Sequence, residues 1–418
     1  MNVTALPVEG IRIAKGDGWL FVALLLGIVA IGEALKLFRA PALLLIVLLT
    51  IIYARETIFR RQQTPILLFS LWGLIYVVFS YVQAFPAAWT RYHDTGVILQ
   101  QASYLATLLP MAAASQKWWD DSRFDANRDA ILVAVVLVAF VLGAILDIVL
   151  GGGYIRPFVT MRNYVFIGLL ALSYLAFRRG KWRRLAILAL LLLAGAAIWQ
   201  SDYVQTKIVY VLIVVFLATS LFRFRTDRLV LFLVLLLVTA STVLGLQDPL
   251  RIFDIDPNTG WRLAWWKDAL AATVQTNGIG VGFGTEALRN EYTAHLQVDK
   301  YHEETGDFLL ISTHSAFFDT IFRTGVVGIL LLFLVLSRCL PHPRTPPLAR
   351  AHCCAMFAVL IFCLHSNLGL QSPMYALGVA FSIGFLQSER RKATTDAFVA
   401  ANELLAHERS YAPHLQRN

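Results

Sequence analysis

At 418 residues, with 58% hydrophobic and only 15% charged side chains, the chain has too little polar surface to enclose its apolar content in water. Lipid must be its main solvent. The formal charge of +9 does not mark nucleic-acid binding, because Lys and Arg sit in short clusters between apolar runs, as membrane topology requires.

The first apolar run, Trp19 to Leu35, follows Arg12 and Lys15 as a signal-peptide core would. No small-x-small cleavage site precedes Lys36 and Arg39, so the run is read as a retained first helix. A bilayer core needs ~20 apolar residues per helix, fewer where a segment tilts. On that basis about twelve transmembrane helices are expected, at 18–36, 40–54, 65–85, 97–115, 130–150, 163–177, 185–200, 207–222, 229–246, 315–337, 351–366 and 373–388. The fold class predicted is an all-α polytopic membrane protein. Residues 1–392 form one transmembrane domain, with a long outer loop at 247–313 and a cytoplasmic tail at 393–418.

The connecting segments support this count. With the N-terminus inside, the inner segments carry Arg55, Arg60 and Arg61, then Lys117, Arg123 and Arg128, then five cations from Arg178 to Arg184. Arg223, Arg225 and Arg228 follow, then Arg338, Arg344 and Arg350, and finally Arg390, Arg391 and Lys392. Both termini are therefore expected in the cytoplasm. Arg156, Arg162, Lys207 and Arg262 defy the insertion bias, each at or near an outer helix end. Taken singly such residues snorkel to headgroups as readily as they bind a substrate; their convergence on one side favours function. Cys339, Cys353, Cys354 and Cys363 fall in or beside late helices, where they act as small apolar side chains, with no disulfide or zinc spacing.

The segment 247–313 is too long to be a mere connection. From Gly260 to Val274 its apolar positions follow helical spacing with three tryptophans, the pattern of an amphipathic helix at a membrane surface. Asn277 to Gly284 follows, with four alternating glycines, which suit either backbone contact with an anion or a flexible turn. Asp254-Ile-Asp256-Pro-Asn258 invites a calcium reading, which fails because Thr259 replaces the loop's glycine and Trp265 its terminal glutamate. No metal is expected there. His314 opens the next helix, as a candidate general base or a headgroup contact. Asp319 and Arg323, four apart, are expected to pair with each other. His365-Ser-Asn367 forms a second polar cluster at an outer helix end.

Taken in order, Thr259-Gly-Trp-Arg262-Leu-Ala-Trp265, Asn277-Gly-Ile-Gly-Val-Gly-Phe-Gly284, Thr313-His314-Ser315 and Arg323-Thr-Gly325-Val-Val-Gly328 resemble the bacterial O-antigen ligase and polymerase superfamily. Ser315 stands where that family usually has Asn; Arg162-Asn163 and Thr206-Lys207 are looser counterparts of two further motifs. The resemblance implies an inner-membrane glycosyltransferase acting on the periplasmic side without a metal or other cofactor. Its donor would be a glycan on undecaprenyl or another polyprenyl diphosphate. The acceptor would be lipid A core for a ligase, in lipopolysaccharide synthesis, or a second lipid-linked glycan for an O-antigen or exopolysaccharide polymerase. His314 would act as base in an inverting transfer, with Arg262 as its catalytic partner. Arg162, Lys207 and Arg156 would bind the diphosphate. A layout of twelve helices with both ends inside also suits a secondary transporter or flippase, although no internal repeat is visible and the polar features crowd one face.

Overall fold

The computed structural model describes residues 39–82, 95–121, 125–142, 162–178, 180–200, 204–221, 227–284, 313–366, 378–395 and 399. Among them every regular element is a helix. In chain order these are α1 (Arg39–Ile58), α2 (Thr64–Tyr81), α3 (Thr95–Asp120), α4 (Asp125–Leu137), extended by a π-turn at Val138–Leu142, and α5 (Arg162–Phe177). Then come α6 (Lys181–Gln200), α7 (Val204–Leu221), α8 (Asp227–Gln247), α9 (Pro249–Ile255), α10 (Pro257–Gln275), α11 (Ala316–Ser337) and α12 (Pro347–Ser366). The last, α13, covers 378–395. The described part of each expected segment from 40–54 onward falls largely within one of these helices; the segment 18–36 lies outside the described residues.

Four described helices are long and apolar enough to cross a membrane: Thr64–Tyr81, Asp227–Gln247, Ala316–Ser337 and Pro347–His365. Their surfaces fit that solvent. Phe232 and Leu237 of α8 are 59% and 70% exposed, a waste of apolar area in water but a normal lipid face. Within lipid a hydroxyl must find its partner locally. Accordingly Ser80, Thr242, Thr320 and Thr324 each donate to the carbonyl one turn back in their own helix.

The helices pack as an antiparallel cluster whose two ends differ. At one end Asp120 accepts from Arg60 at 3.3 Å, Arg391 at 3.0 Å and Ser388 at 2.7 Å. Gln63 beside them donates to Gln116 and Gln387, both at 2.7 Å. Arg350 grips Asp227 with two bonds of 2.6 and 3.2 Å. Arg178 meets Asp129 at 2.9 Å. His342, between α11 and α12, is held below the ordinary histidine pKa, first by partial burial and then by the cations Arg390, Arg344 and Arg228. All these cations belong to the clusters expected in the cytoplasm. Gln101, on the same helix as Asp120, marks the other end, which at 1.5 Å per residue lies roughly 28 Å away. That separation matches a bilayer core of about 30 Å.

Candidate functional site

The opposite end is organised by α10 and α11, which lie side by side and run in the same direction. Trp266 Nε1 donates to Thr313 O at 2.9 Å, and seven residues on, Thr273 Oγ1 donates to Ile321 O at 3.3 Å. Past the end of α10 the glycine-rich stretch turns back as a hairpin against a break in α11. Gly325 interrupts that helix with φ 69° and ψ −166°, a conformation that only glycine adopts readily. The freed carbonyls of Phe322 and Arg323 accept from Val281 N and Gly282 N at 2.8 and 3.0 Å. Val326 N in turn donates to Gly278 O at 2.9 Å. A side chain on Gly325 would collide with the Gly278 and Ile279 carbonyls.

This hairpin is neither a flexible turn nor a phosphate-binding nest. Tyr76 and Trp72 from the middle of α2 donate to Ile279 O at 2.7 Å and Thr324 O at 3.1 Å. Phe283 N donates to Ser80 Oγ, and Gly284 N to Gln101 Oε1, both at 2.7 Å. Nor does α10 lie flat on a surface, as its amphipathic pattern suggested. It descends along α11 and delivers the hairpin to the centre of a helix long enough to span the bilayer. The reason is that Leu263, Trp265, Trp266, Ala269, Ala272 and Thr273 are all buried, so its apolar stripe is covered by protein rather than by acyl chains.

From the Gly325 break to His314 there are eleven residues of α11 and its cap, a rise of roughly 16 Å, or about half the bilayer core. The break thus lies near the middle of α11, and His314 just before its first turn. The two buried charges in between are held by several partners. Asp319 Oδ1 accepts from Thr313 N at 2.8 Å, and Arg323 Nη1 donates to Gln101 Oε1 at 2.9 Å. Asp319 and Arg323, one turn apart, also act on each other electrostatically.

His314 and Arg262 both contact one tryptophan at this end. The Trp261 ring lies 5.3 Å from the His314 ring and nearly perpendicular to it, while the Arg262 guanidinium sits over Trp261 at 5.5 Å. Trp265 stacks parallel to His314, with centroids 5.9 Å apart, and abuts Trp261 at 4.1 Å. Arg262 and His314 are both half-buried. His314 has φ 58°, a left-handed conformation that costs a β-carbon-bearing residue of order 1–2 kcal/mol. The bond from Thr313 N to Asp319 and the bond from Trp266 to Thr313 O hold this backbone in place.

Of the other expected ligands, Lys207 is half-buried in the first turn of α7. Arg162 is the first residue of α5, and its side chain lies outside the described residues. Arg156 also lies outside them. Asp254 and Asp256 are exposed around the short link between α9 and α10, where Asp256 accepts from Thr259 Oγ1. The four cysteines are buried and free. Sequence reasoning did not foresee the Trp72, Tyr76 and Ser80 stripe that receives the hairpin. Its signal was present as polar-tipped residues at i, i+4 and i+8 of an apolar span.

No curated protein matches the chain. A protein-family model described as O-antigen ligase matches residues 157–333. That interval runs from α5 through the glycine hairpin and His314 to most of α11, so it contains the whole Arg262–His314 arrangement. Such a match indicates ligase- or polymerase-type work on lipid-linked glycans. Together with the apolar helices it identifies a membrane protein. Residues 157–333 thus form a domain of the O-antigen ligase family, within the O-antigen ligase and polymerase superfamily.

Proposed function

We propose that this protein is an inner-membrane glycosyltransferase of the ligase type, which moves a glycan from a polyprenyl diphosphate to an acceptor hydroxyl on the periplasmic face. What supports this reading is that Arg262 and His314 both lie against Trp261; we place them at headgroup depth. A lipid diphosphate buries its chain between helices and leaves its charged group at that level.

In the proposed step the acceptor oxygen attacks the anomeric carbon as His314 takes the hydroxyl proton. The bond from that carbon to the diphosphate oxygen breaks, and the diphosphate departs with the electron pair. Attack from the face opposite the leaving group inverts the anomeric configuration. Arg262 offers the leaving group a planar, permanently charged fork that binds phosphate oxygens bidentately. Stabilising the charge as it develops lowers the barrier without a metal. Arg162, Lys207 and Arg156 are proposed as further diphosphate ligands. The protonated imidazole then returns its proton to water.

A polymerase would use the same chemistry with a second lipid-linked repeat as acceptor. The test is transfer by the purified protein in proteoliposomes containing polyprenyl-diphosphate glycan and either lipid A core or no other acceptor. Glycan on the lipid A core is the expected product. Elongated carrier-linked glycan would assign the polymerase reaction instead. Movement of the carrier across the bilayer with no new covalent product would replace both readings by transport.

A further inference from the structure

A second imidazole lies at the same end, and the sequence reading gave it no role in the reaction. His365, in the last turn of α12, is half-buried, and its Nε2 lies 2.9 Å from Thr242 Oγ1 of α8. Which atom owns the proton in that contact follows from the hydroxyl's other bond. Thr242 Oγ1 donates its single hydrogen to Val238 O at 2.7 Å, so towards the histidine it can only accept. Nε2 therefore carries the hydrogen, and in the neutral ring Nδ1 carries the lone pair. Among the described residues Nδ1 has no hydrogen-bond partner.

The surroundings of that nitrogen belong to the site. The His365 ring lies 5.0 Å from the ring of Trp266, whose own N–H is committed to Thr313 O, one residue before His314. The neighbouring Leu364 carbonyl accepts from Ser315 Oγ at 3.5 Å, one residue after His314. Adjacent tryptophans of α10 thus each stand against one imidazole: Trp265 against His314, Trp266 against His365. An acceptor nitrogen of fixed tautomer beside the site can receive a hydroxyl donated by a sugar and so fix its orientation.

We infer that His365 forms a glycan subsite, its Nδ1 accepting a hydrogen bond from a sugar hydroxyl. This rests on the glycosyl-transfer reading above and adds a binding residue to it. The sugar belongs either to the carrier-linked donor or to the acceptor, which share this chemistry. No bond to His365 forms or breaks in the reaction; its effect is on affinity.

The test uses two near-isosteres with opposite deficits. Asn places an oxygen where Nδ1 stands and loses the reach to Thr242. Gln keeps a donor at the Nε2 position and loses the Nδ1 acceptor. Transfer by the full chain in proteoliposomes is measured while the donor and then the acceptor are titrated. The inference predicts that His365→Gln raises KM about tenfold for one of the two substrates, the loss of one neutral hydrogen bond, with kcat little changed. His365→Asn should stay within about threefold of wild type. The substrate whose KM rises names the glycan that is held. The reverse pattern, Asn impaired and Gln normal, would show that only the Thr242 link matters and would overturn the subsite, as would two unaffected variants. His314→Ala is run alongside. Full activity in that variant would sink the transfer mechanism itself, whereas its loss combined with the reversed His365 pattern would sink the subsite alone.

Discussion

The two ends of the bundle use charge in opposite ways. At the cation-rich end Arg60 and Arg391 share Asp120, Arg350 is doubly bonded to Asp227, and Arg178 meets Asp129. Those charges are matched within the protein, and they join helices and fix topology. At the opposite end the Arg262 guanidinium lies over the Trp261 indole, which also meets the His314 ring. His314 is held there in a strained backbone conformation. One end joins its charges across helices, while the other leaves Arg262 and His314 half-buried, as the proposed anionic lipid-linked substrate would require. The lesson is that positive charge in a membrane protein has to be read by its partner before it is read by its position.

Substitutions at each end should separate these roles. The largest effect is expected where the site end is anchored. Gly325→Ala forces a side chain into two carbonyls at a φ reserved for glycine, and should cost more than about 3 kcal/mol. Its readout is loss of folded, monodisperse protein in detergent; a normally stable variant would show that the break in α11 relaxes freely. Next comes the cation-rich end. Asp227→Ala leaves Arg350 in a largely buried place without its partner and should lower stability by about 3 kcal/mol, measured by thermal unfolding in detergent. Restoration by the double change Asp227→Ala with Arg350→Leu would mark the loss as one of pairing. Arg262→Lys replaces a planar fork by a point charge. It should lower kcat/KM about tenfold, with unfolding temperature unchanged. Smallest of all, Asp120→Asn weakens two half-exposed pairs, worth about 1 kcal/mol in total, and should leave the specific transfer rate untouched. A transfer defect in that variant would break the division between the two ends.

Much of the fold was legible because lipid imposes a simple rule on each segment. The described parts of the apolar runs from 40–54 to 373–388 are helical, and Arg60, Arg178, Arg350 and Arg391 of the inner cation clusters are ion-paired. What could not be read was contact between distant segments. Nothing local to Asn277–Gly284 says that its glycines meet Gly325, or that Tyr76, two hundred residues earlier, caps Ile279. The amphipathic stripe of α10 was visible, but the material covering it was not, since protein and acyl chain are equally apolar. Arg262 and His314 were singled out as a pair through the ordered motifs that resemble the family. His365 was noticed only as a polar cluster, because its value lies in Thr242 on another helix.

In the proposed mechanism the His314 imidazole, held against Trp265 and Trp261, accepts the proton of the attacking hydroxyl. The direct measurement is the rate of glycan transfer by His314→Ala and His314→Gly in proteoliposomes, normalised to folded protein. Loss of a general base predicts a fall of about 10² to 10⁴ in both. Because glycine relieves the left-handed backbone, the Gly variant should unfold no earlier than the Ala variant. Transfer within about threefold of wild type in either correctly folded variant would contradict the assignment of His314 as the base.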